Sequence, residues 1–158
     1  MPTSRQPSRK CGPQRVLAVI DTSVWLAALL RPDGFAAAIL PAVRAKKIEP
    51  VFCPATLHEL TAVLHRPRFG TRYAISAEAV ADFLRAIMRA AHSLSDPPIV
   101  PITRDPKDDI FVALAISSDA DFLVTRDDDL KRDLQVVEYL AAAGCEVISV
   151  RAFLEKLG

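Results

Sequence analysis

The chain has 158 residues, enough for one domain of ordinary size and no second full one. With 51% hydrophobic and 25% charged residues it has the profile of a globular protein with a true core, and no apolar run approaches the roughly 20 residues that span a bilayer. The net charge of +1 gives no strong partner signal by itself, but its distribution counts against a purely electrostatic nucleic-acid module: Arg5, Arg9, Lys10 and Arg15 open the chain without an acid and leave the remainder at −3.

Residues 1–15, rich in proline and cations, are expected to form a disordered basic tail, and residues 16–158 a single folded domain. No apolar signal-peptide core follows the early cations, so a cytoplasmic protein is expected. Cys11, Cys53 and Cys145 are odd in number and widely spaced, which suggests neither a disulfide framework nor a thiolate metal site; Cys53 and Cys145 read as core residues.

From Val16 onward short apolar runs alternate with stretches of helical period, the pattern of a parallel α/β sheet. Strands are predicted at 16–20, 50–53, 98–102, 121–124 and 145–150, all apolar enough to be buried on both faces. Helices are predicted at 23–30, 35–47, 55–65, 76–94, 107–118, 134–143 and 151–157, with Pro41 disturbing the second. The connection from His65 to Ser76 carries Arg66, Arg68 and Arg72 with Phe69 and Tyr73, a mixture able to touch RNA through phosphates and stacking, although solvated loop charges explain it too.

Acids at the carboxyl ends of strands carry the chemical signal, because open α/β sheets bind their ligands there. Asp21 follows the first strand, and Thr22 and Ser23 beside it could cap the next helix in its place. Asp127 repeats that arrangement after the fourth strand, in the sequence Thr125-Arg126-Asp127-Asp128-Asp129, where a solvated acidic turn is the alternative and Asp129 a second candidate. Glu59 flanks the apolar stripe of its helix, where an ion pair with Arg66 or His65 would also account for it. Asp105 and Pro106 mark a helix start, and Asp108 or Asp109 then borders a helix with almost no polar face. A carboxylate so placed needs a proton or a cation.

These acids form an all-oxygen donor set suited to Mg2+ or Mn2+, whereas His58, His65 and His92 show no zinc spacing with the cysteines. Neither a G-x-S-x-G turn nor a phosphate-binding glycine loop is present. Two other readings are an α/β phosphoryl-transfer enzyme using Asp21 and a non-catalytic interaction module. The first would want a second acid at or near Asp21, where Ser23 stands; the second leaves the acids without a purpose.

Four segments, in order, resemble the PIN-domain family, and within it the bacterial VapC-like toxins: Asp21-Thr22-Ser23; Leu57 to Phe69 with Glu59; Asp105-Pro106-Lys107-Asp108; and Ala120 to Asp127. The resemblance implies a three-layer α/β/α domain around a parallel sheet of about five strands. It further implies a metal-dependent ribonuclease in which Asp21, Glu59, Asp108 and Asp127 ligate one or two divalent ions, a homodimeric state and inhibition by a small antitoxin protein. Asp108 is favoured over Asp109 because Ala115 then falls where the family keeps an alanine, and Ser23 stands where many relatives carry Asn.

Overall fold

Alternate residues of the first strand, β1 (Val16–Ile20), belong to two different cores: Ala18 and Ile20 to one, Leu17 and Val19 to the other. A strand with period-2 side chains can do this only inside a sheet covered on both faces, which is why VLAVI has no polar position. The computed structural model describes residues 15–67 and 73–158. The predicted tail up to Gln14, Cys11 within it, and Arg68, Phe69 and Arg72 of the predicted contact loop lie outside the described residues.

Along the chain β1 is followed by α1 (Thr22–Leu30), a 3-10 turn (Phe35–Ala38), α2 (Ile39–Arg44), β2 (Ile48–Phe52), α3 (Pro54–Leu64), α4 (Ala77–Ala90) and β3 (His92–Ser93). A 3-10 turn (Pro106–Asp108), α5 (Asp109–Ser118), β4 (Phe122–Val124), α6 (Asp128–Arg132), α7 (Leu134–Ala142), β5 (Glu146–Ile148) and α8 (Val150–Leu157) complete it. The five strands are parallel in the order β3-β2-β1-β4-β5. Helices α1, α2, α4 and α8 bury Trp25, Ile39, Phe83 and Phe153 on one face; α5, α6 and α7 bury Leu114, Leu130 and Leu140 on the other. The expected three-layer α/β/α architecture with five parallel strands is therefore observed.

The order matters more than the count. Successive strands run from β1 outward through β2 to β3, then the chain crosses back to place β4 on the other side of β1. Connections thus diverge on either side of the β1–β4 pair, leaving a crevice at the carboxyl ends of those two strands. Asp21 ends β1 and Thr125 to Asp127 follow β4, so the sheet itself brings them to one place.

One predicted strand is corrected. Residues 98–102 form no strand: Pro98 and Pro101 lack an N–H, Ile99 and Val100 are 51% and 46% exposed, and the Ile102 N–H donates to Asp109 rather than to a neighbouring strand. The edge strand is instead His92–Ser93, paired with Val51 and Phe52, within what the periodicity assigns to the end of a helix. That helix stops at Ala90 because Ala91 is already extended. The predicted helix at 35–47 begins as a 3-10 turn and ends at Arg44, with Pro41 in the first turn of α2 where an N–H has no partner to lose. The short α6 is an element the sequence pattern does not announce. Cys53 and Cys145 are both buried in the core, as expected.

Candidate active site

Asp21 caps α1: its Oδ1 accepts from the Val24 N–H at 3.2 Å and from the Ser23 hydroxyl at 2.5 Å. The sequence left Thr22 and Ser23 as substitutes that would release Asp21 from capping, and the structure corrects this, since Asp21 both caps and faces the crevice. One carboxylate does both because its second oxygen, Oδ2, accepts from the fully buried Thr125 hydroxyl at 2.5 Å. Thr125 Oγ1 in turn accepts the Asp127 N–H at 3.0 Å, so a single hydroxyl at the end of β4 ties the first and fourth motif segments together.

Asp108 and Asp109 divide the two roles that their shared helix start offers. Asp109 is 4% exposed, and its Oδ1 accepts from the Ile102 N–H at 3.1 Å, the Thr103 N–H at 2.8 Å and the Thr103 hydroxyl at 2.8 Å. Burial opposes its ionisation, yet the hydrogen bonds from Thr103 and Ile102 outweigh burial and hold the carboxyl below its usual range. Its charge is consumed in anchoring the loop.

Asp108 is the opposite case. Partial burial, then the charges of Asp127, Asp105 and Asp21, and a hydrogen bond with the Asp127 side chain push its pKa up to about 6. Asp127, Asp105 and Asp21 are therefore all close enough to repel the Asp108 carboxylate. Among the described residues none of the four forms an ion pair with a lysine or arginine. Asp105 is the member that the sequence treats only as a cap, a part it does play by accepting from the Lys107 N–H. The signal that could have placed it is its spacing of three residues from Asp108 around one turn.

Glu59 reaches the group from α3. Its Oε2 accepts from the Thr22 hydroxyl at 3.1 Å, one residue from Asp21, whereas the alternative pairing with Arg66 or His65 does not occur. His65 Nδ1 instead meets the Thr61 carbonyl. The start of α3 is held by two contacts, the Cys53–Thr56 capping box and the Asp96 side chain accepting from the Ala55 N–H at 2.9 Å. Glu59 is not among the acids that raise Asp108, so it stands at the margin of the cluster.

The remaining candidates fall away from the centre. Asp129 is exposed and donates its N–H to Asp127, and Asp128 is ion-paired with Lys131 at 3.1 Å. Arg66 lies beyond α3 in the wall of a separate cavity of about 180 Å3 with Leu29 and Ile75.

The donor set contains only carboxylate and hydroxyl oxygen, and no lysine or arginine among the described residues balances its charge, which fits a hard divalent cation in chemistry. Among the described residues no three acid, histidine or cysteine side chains are already drawn round one point. The fit therefore lies in donor type and charge.

Comparisons with known proteins bear on the family and the fold. Residues 17–129 match the family model described as PIN domain, a span that contains all four motif segments. Among solved structures, PAE2754 from Pyrobaculum aerophilum superposes with a TM-score of 0.53 at 19% identity over 90% of this chain and 89% of that one, a likeness of fold. A PilT N-terminus domain protein, SSO1118 from Sulfolobus solfataricus P2, aligns over 90% of this chain and 93% of its own at 15% identity and a TM-score of 0.47. No curated protein matches the chain significantly. The family model covers well over half of the sequence, and the chain belongs to the PIN domain family.

Proposed function

PIN domains are generally nucleases, and we propose that this chain is a Mg2+- or Mn2+-dependent endoribonuclease whose ligands are Asp21, Glu59, Asp108 and Asp127. The observation that carries the reading is the gathering of Asp21, Asp108 and Asp127 at the sheet's switch point without a balancing cation among the described residues. An interaction module gains nothing from such a group, which destabilises the fold by repulsion. A phosphoryl-acceptor role for Asp21 fits less well, because such an enzyme wants a second acid beside it and Ser23 stands in that place.

When bound, a divalent ion would supply an acidic water and neutralise charge on the scissile phosphate. Asp21 and Asp108 would hold it, with Asp127 and Glu59 ligating at its edge or orienting water from one shell out. The protein's own part is positional. Thr125 and Ser23 hold the Asp21 carboxylate in one rotamer, Thr22 steadies Glu59, and Asp108 keeps a proton to about pH 6 that it must release to become a ligand.

The test is cleavage of a single-stranded RNA by the purified chain with Mn2+ or Mg2+. The expected result is endonucleolytic products that vanish with chelator and in Asp21→Asn, a variant that retains a good helix cap. Chelator-resistant cleavage, or full activity in Asp21→Asn, contradicts the reading. The resemblance of the four segments to VapC-like toxins supports extending the proposal to a homodimeric toxin with a small antitoxin partner. Expression of the chain alone is then growth-inhibitory, and Asp21→Asn is harmless.

A further inference from the structure

A cavity of about 350 Å3 opens beside the carboxylates, and every charged residue in its wall is a cation: Arg31, Arg126, Lys131 and Arg151. Thr125, whose hydroxyl bonds to Asp21, forms part of the same wall, so cavity and carboxylate cluster share a boundary. Two of the cations are already balanced, Lys131 by Asp128 at 3.1 Å and Arg151 by Glu155 at 3.3 Å. Arg31, at the end of α1, and Arg126, between Thr125 and Asp127, have no acidic partner among the described residues.

The wall also carries Phe35, which is 63% exposed. A single exposed aromatic residue is ordinary. This one is fixed at the head of a 3-10 turn packed between α1 and α8, with the Arg151 guanidinium 5.5 Å from its ring centroid. An aromatic ring sharing a cavity wall with arginines that have no acidic partner among the described residues is the combination that stacks a nucleobase and grips the adjoining phosphates. A cluster of carboxylates repels a polyanion, so cations must stand beside it if a nucleic acid is to stay.

We propose that this cavity is a nucleotide subsite that stacks one base of single-stranded RNA on Phe35 and places the flanking phosphates on Arg31 and Arg126. The subsite rests on the nuclease reading for its purpose, but its binding is measurable without cleavage. Single strands are specified because a base inside a duplex cannot leave its neighbours to lie on the ring. The cavity volume suits one nucleoside-sized group rather than a helix.

The experiment titrates a fluorescent single-stranded oligoribonucleotide into the full-length chain, in chelator and at low salt so that no cleavage intervenes, and follows anisotropy. Phe35→Ala is expected to weaken binding about fivefold to a hundredfold, and Phe35→Trp to restore it. Arg31→Gln and Arg126→Gln should each flatten the salt dependence of binding by roughly one phosphate contact. Thermal melts accompany each variant, and the exposure of Phe35 leaves its replacement by Ala free to fold. Wild-type binding by Phe35→Ala, or undiminished salt dependence in both arginine variants, overturns the subsite. Binding that is lost in Phe35→Ala and recovered in Phe35→Trp, in a chain that never cleaves RNA with metal, sinks the nuclease reading and leaves the subsite standing.

Discussion

Adjacent aspartates with the same local sequence end up with opposite electrostatics because of what each one meets. Asp109 meets three donors from Ile102 and Thr103, while Asp108 meets Asp127, Asp105 and Asp21. Asp109→Ala strands those donors in a partly buried place and is expected to cost about 3 kcal/mol of stability in urea unfolding. Asp108→Asn relieves repulsion, so without metal it should be at least as stable as wild type at pH 7. A loss comparable to that of Asp109→Ala would show that the roles are reversed. The pH dependence follows from the same carboxyl. It holds its proton to about pH 6 in the folded chain but titrates near 3.8 when unperturbed, so the folded state binds more protons in that window. Stability contributed by Asp108 is therefore greatest below about pH 4 and declines as pH rises through about 6. Melting curves in chelator should show this decline in wild type, and Asp108→Asn should flatten it. Thr125 is a positioning residue, because its hydroxyl links Asp21 to the Asp127 backbone. Thr125→Val is expected to lower stability by about 1–2 kcal/mol and weaken Mn2+ affinity, with Thr125→Ser recovering both. Recovery of stability without recovery of Mn2+ affinity would reduce Thr125 to a structural part.

At the scale of elements, the site depends on α5 and α3 as levers. Helix α5 presents Asp108 at its start because its body is locked into the core, with Leu114 fully buried and Phe111, Val112 and Ala115 nearly so. Leu114→Ala should cost about 2–5 kcal/mol by denaturant unfolding, and a value near zero would mean that α5 is not anchored as described. This helix was legible in the sequence, since ten residues with scarcely a polar face behind Asp105-Pro106 admit little else. β1 and β4 were legible for the same reason. The segment at 98–102 was misread because apolar residues between prolines look like a strand when only hydrophobicity is counted, although Pro98 and Pro101 cannot serve a ladder. β3 was hidden because a two-residue edge strand, His92–Ser93, has no periodicity to detect. Which of Asp108 and Asp109 faces the site was not decidable from the sequence by physics alone, since the donors of Ile102 and Thr103 are set by the path of a loop.

The whole molecule gathers acids because its strand order opens a crevice at the ends of β1 and β4, and local sequence then fills that crevice with Asp21, Asp108 and Asp127. On the β4–β5 side the same edge carries cations and Phe35. Among the described residues no single helix is long and apolar enough to cross a membrane. The apolar content of α1 and α2 is accounted for by the core they cover, where Trp25 lies against Phe52 and Phe83. The central claim is that this crevice holds a divalent cation, and Mn2+-dependent thermal melting tests it most directly. At about 100 times the dissociation constant a bound ion stabilises the fold by about 2.7 kcal/mol, a rise of roughly 5 to 10 °C in Tm for a chain of this size. Wild type at pH 7 is predicted to show that rise, Asp109→Asn to show it from a lower starting Tm, and Asp21→Asn and Asp108→Asn to lose most of it. An unchanged Tm for wild type with Mn2+, or an equal rise in Asp21→Asn and Asp108→Asn, would contradict the account.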